Sequence, residues 1–289
     1  MVPTAEPLDS QIQLLVDNLP GGLALPAGSD PIKARAQFRR ITGGLREQLP
    51  PANLAAIEDI TVPGANGDQR ARVYIPHGDK PTGTFLFFHG GGFIIGDIES
   101  YELQTRTIAE RTGMQVISAE YRLAPEDPFP AAADDALSIT EWVLAHADDF
   151  GEDASRVIVG GDSAGGNLAA VVAQGLEGIA GLVLVYPAAD FSTRYPSLDE
   201  HADGPVLTKE AGLVFHAAYL GDSDPEDPRL SPLQGEDFGH HPPAVVVTCE
   251  YDILRDPGLA YAAKLADFDV PLTHLHYPSL MHGFMGFFT

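Results

Sequence analysis

Val157-Ile158-Val159-Gly160-Gly161-Asp162-Ser163-Ala164-Gly165-Gly166-Asn167 starts as an apolar run of strand character and breaks, at Gly-Asp-Ser-Ala-Gly, into a helix-forming stretch that continues Leu168-Ala169-Ala170-Val171-Val172. The pattern predicts that Ser163 sits on a tight strand-to-helix turn, with Gly161 and Gly165 at the two places where a side chain would collide. This is the G-x-S-x-G spacing of a nucleophile elbow. A helix beginning at about Ala164 would aim its positive end and its free N–H groups at the serine hydroxyl. Read alone, the pentapeptide could also be a glycine-rich turn holding an incidental serine.

A second apolar run, Phe85-Leu86-Phe87-Phe88, empties into His89-Gly90-Gly91-Gly92-Phe93 well upstream. Three successive glycines leave backbone N–H groups unshielded. A carbonyl attacked by Ser163 becomes an oxyanion, and donors preset around that oxygen make the largest contribution to lowering such a barrier. Amides of this loop and of Ala164, just after the serine, are placed to supply them. A polyglycine loop alone could equally hold a phosphate or turn the chain; paired with the elbow it is far more specific.

A serine hydroxyl needs an imidazole to take its proton and an acid to orient the imidazole. After the run Ala244-Val245-Val246-Val247-Thr248-Cys249, the stretch Glu250-Tyr251-Asp252-Ile253-Leu254-Arg255-Asp256 puts Asp252 just past a predicted buried strand. A helix is expected from about Pro257 to Phe268, a strand over Pro271 to Pro278, and a loop containing His282. Ser163, Asp252 and His282 thus follow in the order serine, acid, histidine, each at the carboxyl end of a predicted strand, where open α/β sheets place their sites. Of the two neighbouring acids, Glu250 is close enough to the strand to point along or into the sheet, and Asp256 beside Pro257 reads as a helix N-cap. Asp162 is read as stabilising the elbow through local hydrogen bonds.

The chain has ten histidines. His274 and His276 alternate in a strand and read as packed or surface residues. His240 and His241 are a tandem, yet no cluster of ligand spacing surrounds them and no metal site is expected. His89 is expected to brace the glycine loop, and His77, His146, His201 and His216 read as solvated. His282 has the right place in the order.

Together, HGGGF at 89–93, YRLAPE at 121–126, FPAAADD at 129–135, GDSAGGN at 161–167, EYDILRD at 250–256 and HGF at 282–284 resemble the hormone-sensitive lipase family of α/β-hydrolases, in its bacterial esterase branch. The likeness covers about residues 60 to 289. It implies an α/β-hydrolase fold, a mostly parallel sheet with helices on both faces and a helical cap. It also implies a carboxylic ester hydrolase in which Ser163 is the nucleophile, His282 the general acid and base, and Asp252 the orienting acid. The amides of Gly91, Gly92 and Ala164 would be the oxyanion donors. The substrate would be a small-molecule ester of short to medium acyl length, and no metal or organic cofactor is required. One departure is Pro257, where members of the family often carry an acidic residue. An amidase or peptidase of the same fold is the rival within enzymes. A non-catalytic ligand-binding protein is the rival outside them, against which stands the presence of all three triad residues.

At 289 residues the chain is long enough for one large α/β domain with a full core. From about Glu58 onward predicted strands and helices alternate, the rhythm of a sheet covered on both faces. Ile60 to Pro76 reads as an opening hairpin. Residues 51–187 and 234–289 are assigned to the hydrolase core. Residues 1–50 and 188–233 break the rhythm, and the family likeness implies that they pack together as a cap. Phe38, Leu207, Phe215 and Tyr219 are then candidate pocket walls, against the alternative of ordinary helix packing. Gly and Pro around Pro20-Gly21-Gly22 and Pro50-Pro51 are the expected hinges.

A net charge of −24, with 17 Lys and Arg, argues against nucleic acid and anionic membrane surfaces as partners. The first twenty residues lack the basic start and apolar stretch of a secretory signal, and no apolar run is long enough to span a bilayer. Cys249, the single cysteine, cannot form an internal disulfide and is expected to be a buried hydrophobe. A cytoplasmic location is the resulting expectation, and a homodimer is left open.

Overall fold

The elbow strand, β5 (Val157–Asp162), lies near the centre of an eight-stranded sheet of order β1-β2-β4-β3-β5-β6-β7-β8. The computed structural model describes residues 5–18, 30–47, 53–78, 81–150 and 156–286. β1 (Ala56–Gly64) and β2 (Gly67–Ile75) form the expected antiparallel hairpin, and β2 runs antiparallel to β4 (Gln115–Ala119). From there β3 (Thr84–Phe88), β5, β6 (Gly181–Val185), β7 (Ala244–Tyr251) and β8 (Leu272–Met281) are parallel. All five residues of β3 and of β4 are buried. A strand covered on both faces reads as a continuous apolar run, which is why β3 was visible in the sequence, whereas β4 buries Gln115 and Ser118 among its apolar residues.

The helices that follow these strands cover both faces: α3 (Glu102–Thr112), α4 (Ala131–Ala145), α5 (Ala164–Gly175) and α8 (Arg255–Asp267). α5 is buried without interruption from Ala164 to Ala173 and packs on β5 and β6. It sits so close to the sheet that a Cβ on Gly165 would lie 1.9 Å from the Phe88 carbonyl oxygen, so only glycine fits at this crossing. One core cluster runs from Val62 and Leu86 through Val159 and Leu168 to Leu265.

Four further helices lie outside the alternation. α1 (Ser10–Asn18) and α2 (Pro31–Glu47) precede the sheet, and α6 (Ser197–Glu200) and α7 (Lys209–Leu220) lie between β6 and β7. The expected hinges around Pro20 to Gly22 and Pro50-Pro51 lie outside the described residues. β7 and β8 run further than the sequence suggested, because pairing resumes beyond an irregularity at Cys249 and ends with Tyr251 opposite Met281. Pro278 is tolerated inside β8 because this is an edge strand. No helix among the described residues is long and apolar enough to cross a membrane.

Candidate active site

Ser163 stands between β5 and α5 with φ 54° and ψ −115°, a region rarely occupied by a residue with a side chain. The surrounding close packing holds it there: its own N–H donates to the Val185 carbonyl at 2.9 Å, and its carbonyl accepts from Asn167 and Ala188. The elongated β7–β8 ladder explains how the other two residues meet. Tyr251 and Met281 are paired, so the next residues, Asp252 and His282, leave the sheet side by side, and the His282 N–H donates to the Tyr251 carbonyl at 3.1 Å.

The three side chains form a chain of hydrogen bonds. His282 Nδ1 lies 2.8 Å from Asp252 Oδ2, and His282 Nε2 lies 3.0 Å from Ser163 Oγ. An ionised carboxylate is acceptor-only, so Nδ1 carries its proton toward Asp252 and Nε2 is left to accept from the serine. Asp252 is 1 % exposed, His282 7 % and Ser163 8 %. The second Asp252 oxygen accepts from the Leu254 N–H at 2.8 Å, which fixes the carboxylate plane. Cys249, fully buried, directs its Sγ to Asp252 Oδ2 at 3.6 Å, and burial pushes its thiol well above the ordinary value.

The triple-glycine loop leaves β3 beside the serine. Gly91 and Gly92 have φ of 119° and 60°, and the Gly91 carbonyl closes a tight turn by accepting from Ile94 and Ile95. Among the described residues no protein group accepts from the N–H groups of Gly91, Gly92 or Ala164. His89 is buried in the base of this loop, with Nδ1 2.7 Å from the Gly90 carbonyl and its ring stacked on Tyr121.

Asp162 departs from expectation. Its hydrogen bonds are not local: Oδ1 accepts from the Gly90 N–H at 2.7 Å, across to the end of β3. Burial pushes this carboxyl up to about 6, against the opposing pull of the Gly90 N–H, His282 and two tyrosine hydroxyls.

A cavity of about 450 Å³ opens over Ser163 and His282. Phe38 from α2, Leu207, and Phe215 from α7 line it, as does Pro257 in the first turn of α8. Tyr219, also expected in the wall, is not among its lining residues. It is 1 % exposed and stacks flat on Phe93 at 3.7 Å, one helical turn past Phe215, where α7 has descended into the core. His216, expected to be solvated, lines the cavity half-buried beside Phe191, and burial lowers its pKa. His201, also expected in solvent, is largely covered and lies 3.1 Å from the Arg255 guanidinium. His146 is likewise not free in solvent but stacks on Trp142. His241 is buried against Phe238, and among the described residues no group of three or more His, Cys, Asp or Glu is arranged to hold a metal.

Asp256 is not the N-cap. α8 starts two residues earlier, after Leu254, and the Asp256 carboxylate instead accepts from the Ser197 N–H at 2.8 Å, tying α6 to the start of α8 that follows Asp252. A comparable tie holds α2. Arg35 donates to both Glu126 oxygens and to the Ile94 and Ala124 carbonyls, and Arg39 pairs with Asp97. These contacts escaped the sequence reading. Their one local trace is two arginines four apart on α2, sharing a helix face with Phe38.

A strained serine, an imidazole and a buried carboxylate at the strand ends of an open, mostly parallel sheet define a serine-hydrolase type of architecture. A sequence profile of the alpha/beta hydrolase fold family matches residues 85–286. Carboxylic ester hydrolase LipN of Mycobacterium tuberculosis is 38% identical over 97% of this chain and 78% of its own length. Esterase LipI of the same organism is 33% identical over 97% of this chain and 88% of its own. A solved structure of a hyperthermophilic esterase from the archaeon Pyrobaculum calidifontis superposes with a TM-score of 0.92 at 35% identity, covering 98% of this chain and 92% of that one. The chain belongs to the α/β-hydrolase fold family, in its hormone-sensitive lipase branch.

Proposed function

We propose that the protein hydrolyses carboxylic esters through an acyl-enzyme intermediate. The observation that carries this reading is the continuous Asp252–His282–Ser163 hydrogen-bond chain at the mouth of a mostly apolar cavity. Ser163 Oγ attacks the ester carbonyl while His282 Nε2 takes its proton. Asp252 holds the imidazole and stabilises the imidazolium, and the alcohol leaves with the proton. Water then repeats the sequence and releases the acid. The oxyanion of each tetrahedral intermediate is received by the amides of Gly91, Gly92 and Ala164, whose fixed orientation needs no reorganisation as charge develops. No step calls on a metal or organic cofactor.

Residues 51–187 and 234–289 are the catalytic core in this reading, and residues 1–50 and 188–233 the cap. Support comes from α2 and α7, which contribute Phe38 and Phe215 to the wall, and from Leu207 between α6 and α7. A cavity of about 450 Å³ suits a compact ester, with acyl chains of about eight carbons or fewer. A single thiol, buried as Cys249, is in keeping with a reducing cytoplasm.

The test combines labelling with turnover. A fluorophosphonate is expected to modify Ser163, and Ser163→Ala to keep the fold while losing all but a residual acceleration of roughly 10³ to 10⁴ over water. A p-nitrophenyl ester is expected to turn over far faster than the matching anilide. Labelling at another serine, with Ser163→Ala still active, overturns the assignment; equal turnover of the anilide would favour an amidase.

A further inference from the structure

Asp162 is fully buried, adjoins the nucleophile, and takes no part in the proton transfers above. Its partners converge from separate elements. Oδ1 accepts from Gly90 at the end of β3; Oδ2 accepts from the Tyr101 hydroxyl, just before α3, at 3.2 Å, and from the Tyr186 hydroxyl, just after β6, at 3.4 Å. The Tyr186 ring lies 4.7 Å from that of His282. His89, 5.4 Å from the Tyr101 ring, and Tyr121 complete the titratable surroundings. Burial holds His89 below the ordinary imidazole value, and pushes Tyr101, Tyr121 and Tyr186 well above the ordinary phenol value. These four therefore stay neutral near pH 7, which leaves the Asp162 carboxylate facing one group able to become positive, His282.

We propose that Asp162 is a positioning residue whose ionised carboxylate ties the triple-glycine loop to the elbow, so that the oxyanion donors and Ser163 keep one fixed separation. The inference rests on the ester-hydrolase reading. Gly90 immediately precedes the two glycines whose amides would meet the oxyanion, and Asp162 immediately precedes Ser163. One hydrogen bond therefore joins the two halves of the site. With an ionised acceptor it is roughly twice as strong as a neutral bond. Protonation would place hydrogen on Oδ2, which then donates to one tyrosine hydroxyl in place of accepting from it, and would weaken Oδ1 as the acceptor for Gly90 and remove the negative charge that favours the imidazolium formed during attack. The burial that pushes this carboxyl up to about 6 puts the change just below neutral pH.

The experiment measures kcat and KM for p-nitrophenyl butyrate from pH 8 to pH 5 in wild type, Asp162→Asn, Asp162→Ala and Tyr101→Phe. Asparagine keeps an acceptor for Gly90 and loses the charge; alanine loses both. At pH 8 kcat is expected to fall on the order of tenfold in Asp162→Asn and a hundredfold in Asp162→Ala, with KM nearly unchanged, as for a misplaced rather than absent oxyanion donor. The ratio of wild-type to Asp162→Asn turnover is expected to drop as pH passes through about 6. Tyr101→Phe removes a donor that favours the ionised form, so it is expected to move the wild-type drop to higher pH. It carries the test if the Asp162 variants do not fold. The infrared C=O band of a protonated carboxyl, read on resting enzyme, is expected to appear near pH 6 in wild type and to be missing in Asp162→Asn. A pH-independent ratio, or an Asp162→Ala variant with altered KM and wild-type kcat, overturns the proposal. Wild-type protein that shows the infrared band yet hydrolyses no ester would overturn the functional reading instead.

Discussion

Replacing Gly92 by alanine tests whether α7 and the glycine loop form one mechanical unit. A Cβ at this position would lie 2.5 Å from Phe215 Cδ2 and 2.7 Å from Cγ, where carbon atoms ordinarily rest at about 3.5–4.0 Å. The backbone also sits at φ 60°, which costs a residue with a side chain about 1–2 kcal/mol. Forcing the ring aside adds about 1–3 kcal/mol of overpacking. Gly92→Ala is therefore expected to lose about 2–5 kcal/mol of stability, and a loop displaced by about 1 Å to lose on the order of a hundredfold in kcat. Phe215→Ala alone removes a partly buried ring, at about 2 kcal/mol. In the double variant the backbone term remains while the collision is gone, so the two effects should fall short of additivity by about 1–3 kcal/mol. Much of the lost kcat should return. Urea unfolding of the four proteins and turnover of p-nitrophenyl butyrate give both quantities. Additivity within about 0.5 kcal/mol, or a double variant no faster than Gly92→Ala, would refute the coupling.

Asp252→Asn is expected to keep the fold and to lower kcat by about 10⁴-fold, because an amide no longer enforces the tautomer that leaves Nε2 free. Asp256→Asn, which loosens the tie to Ser197 and removes the ion pair with Arg255, should cost less than about tenfold, and a reversed ranking of the two in steady-state turnover would exchange their roles. Deleting residues 1–45 removes Phe38 together with Arg35 and Arg39, and should lower turnover and blur the chain-length preference across a panel of p-nitrophenyl esters from two to sixteen carbons. An unchanged profile would mean that α2 takes no part in selection. Stability and activity should also respond oppositely to acid at Asp162. A carboxyl raised from 3.8 to about 6 takes up its proton in the folded state first, so folding is favoured as pH falls through that interval, by up to about 3 kcal/mol. Relative to Asp162→Asn, wild type in urea should gain a comparable amount of stability between pH 7 and pH 4, and a constant difference would show that the buried charge is compensated in another way.

The parallel strands and the serine elbow were legible because both are written in contiguous residues. β3, β5 and β7 are covered on two faces and so carry unbroken apolar runs, and the elbow is a turn whose glycines must be adjacent to the serine. What escaped was set by contacts between distant segments. Periodicity shows that α7 has an apolar face but not that Phe215 meets a cavity while Tyr219, one turn on, meets Phe93. Likewise Asp256 beside Pro257 has the local signature of an N-cap, but it lies inside α8, and Arg255 and the distant Ser197 take its two carboxylate oxygens.

The same distinction separates the chemistry from its positioning. The groups proposed to react need little more than the ends of β3, β5, β7 and β8, which the sheet holds at fixed spacing. The groups proposed to position them reach across the fold: Asp162 to Gly90, Asp256 to Ser197, Arg35 to Ile94, Phe215 to Gly92. Two of these four contacts end on the glycine loop and a third on the turn that follows it. This loop has no regular secondary structure of its own to fix it, and an oxyanion site works only if its donors are already in place when charge develops. The long-range ties at residues 90–97 therefore converge on the loop proposed to receive the oxyanion, and substitutions there should separate loss of turnover from loss of folding more cleanly than substitutions in the sheet.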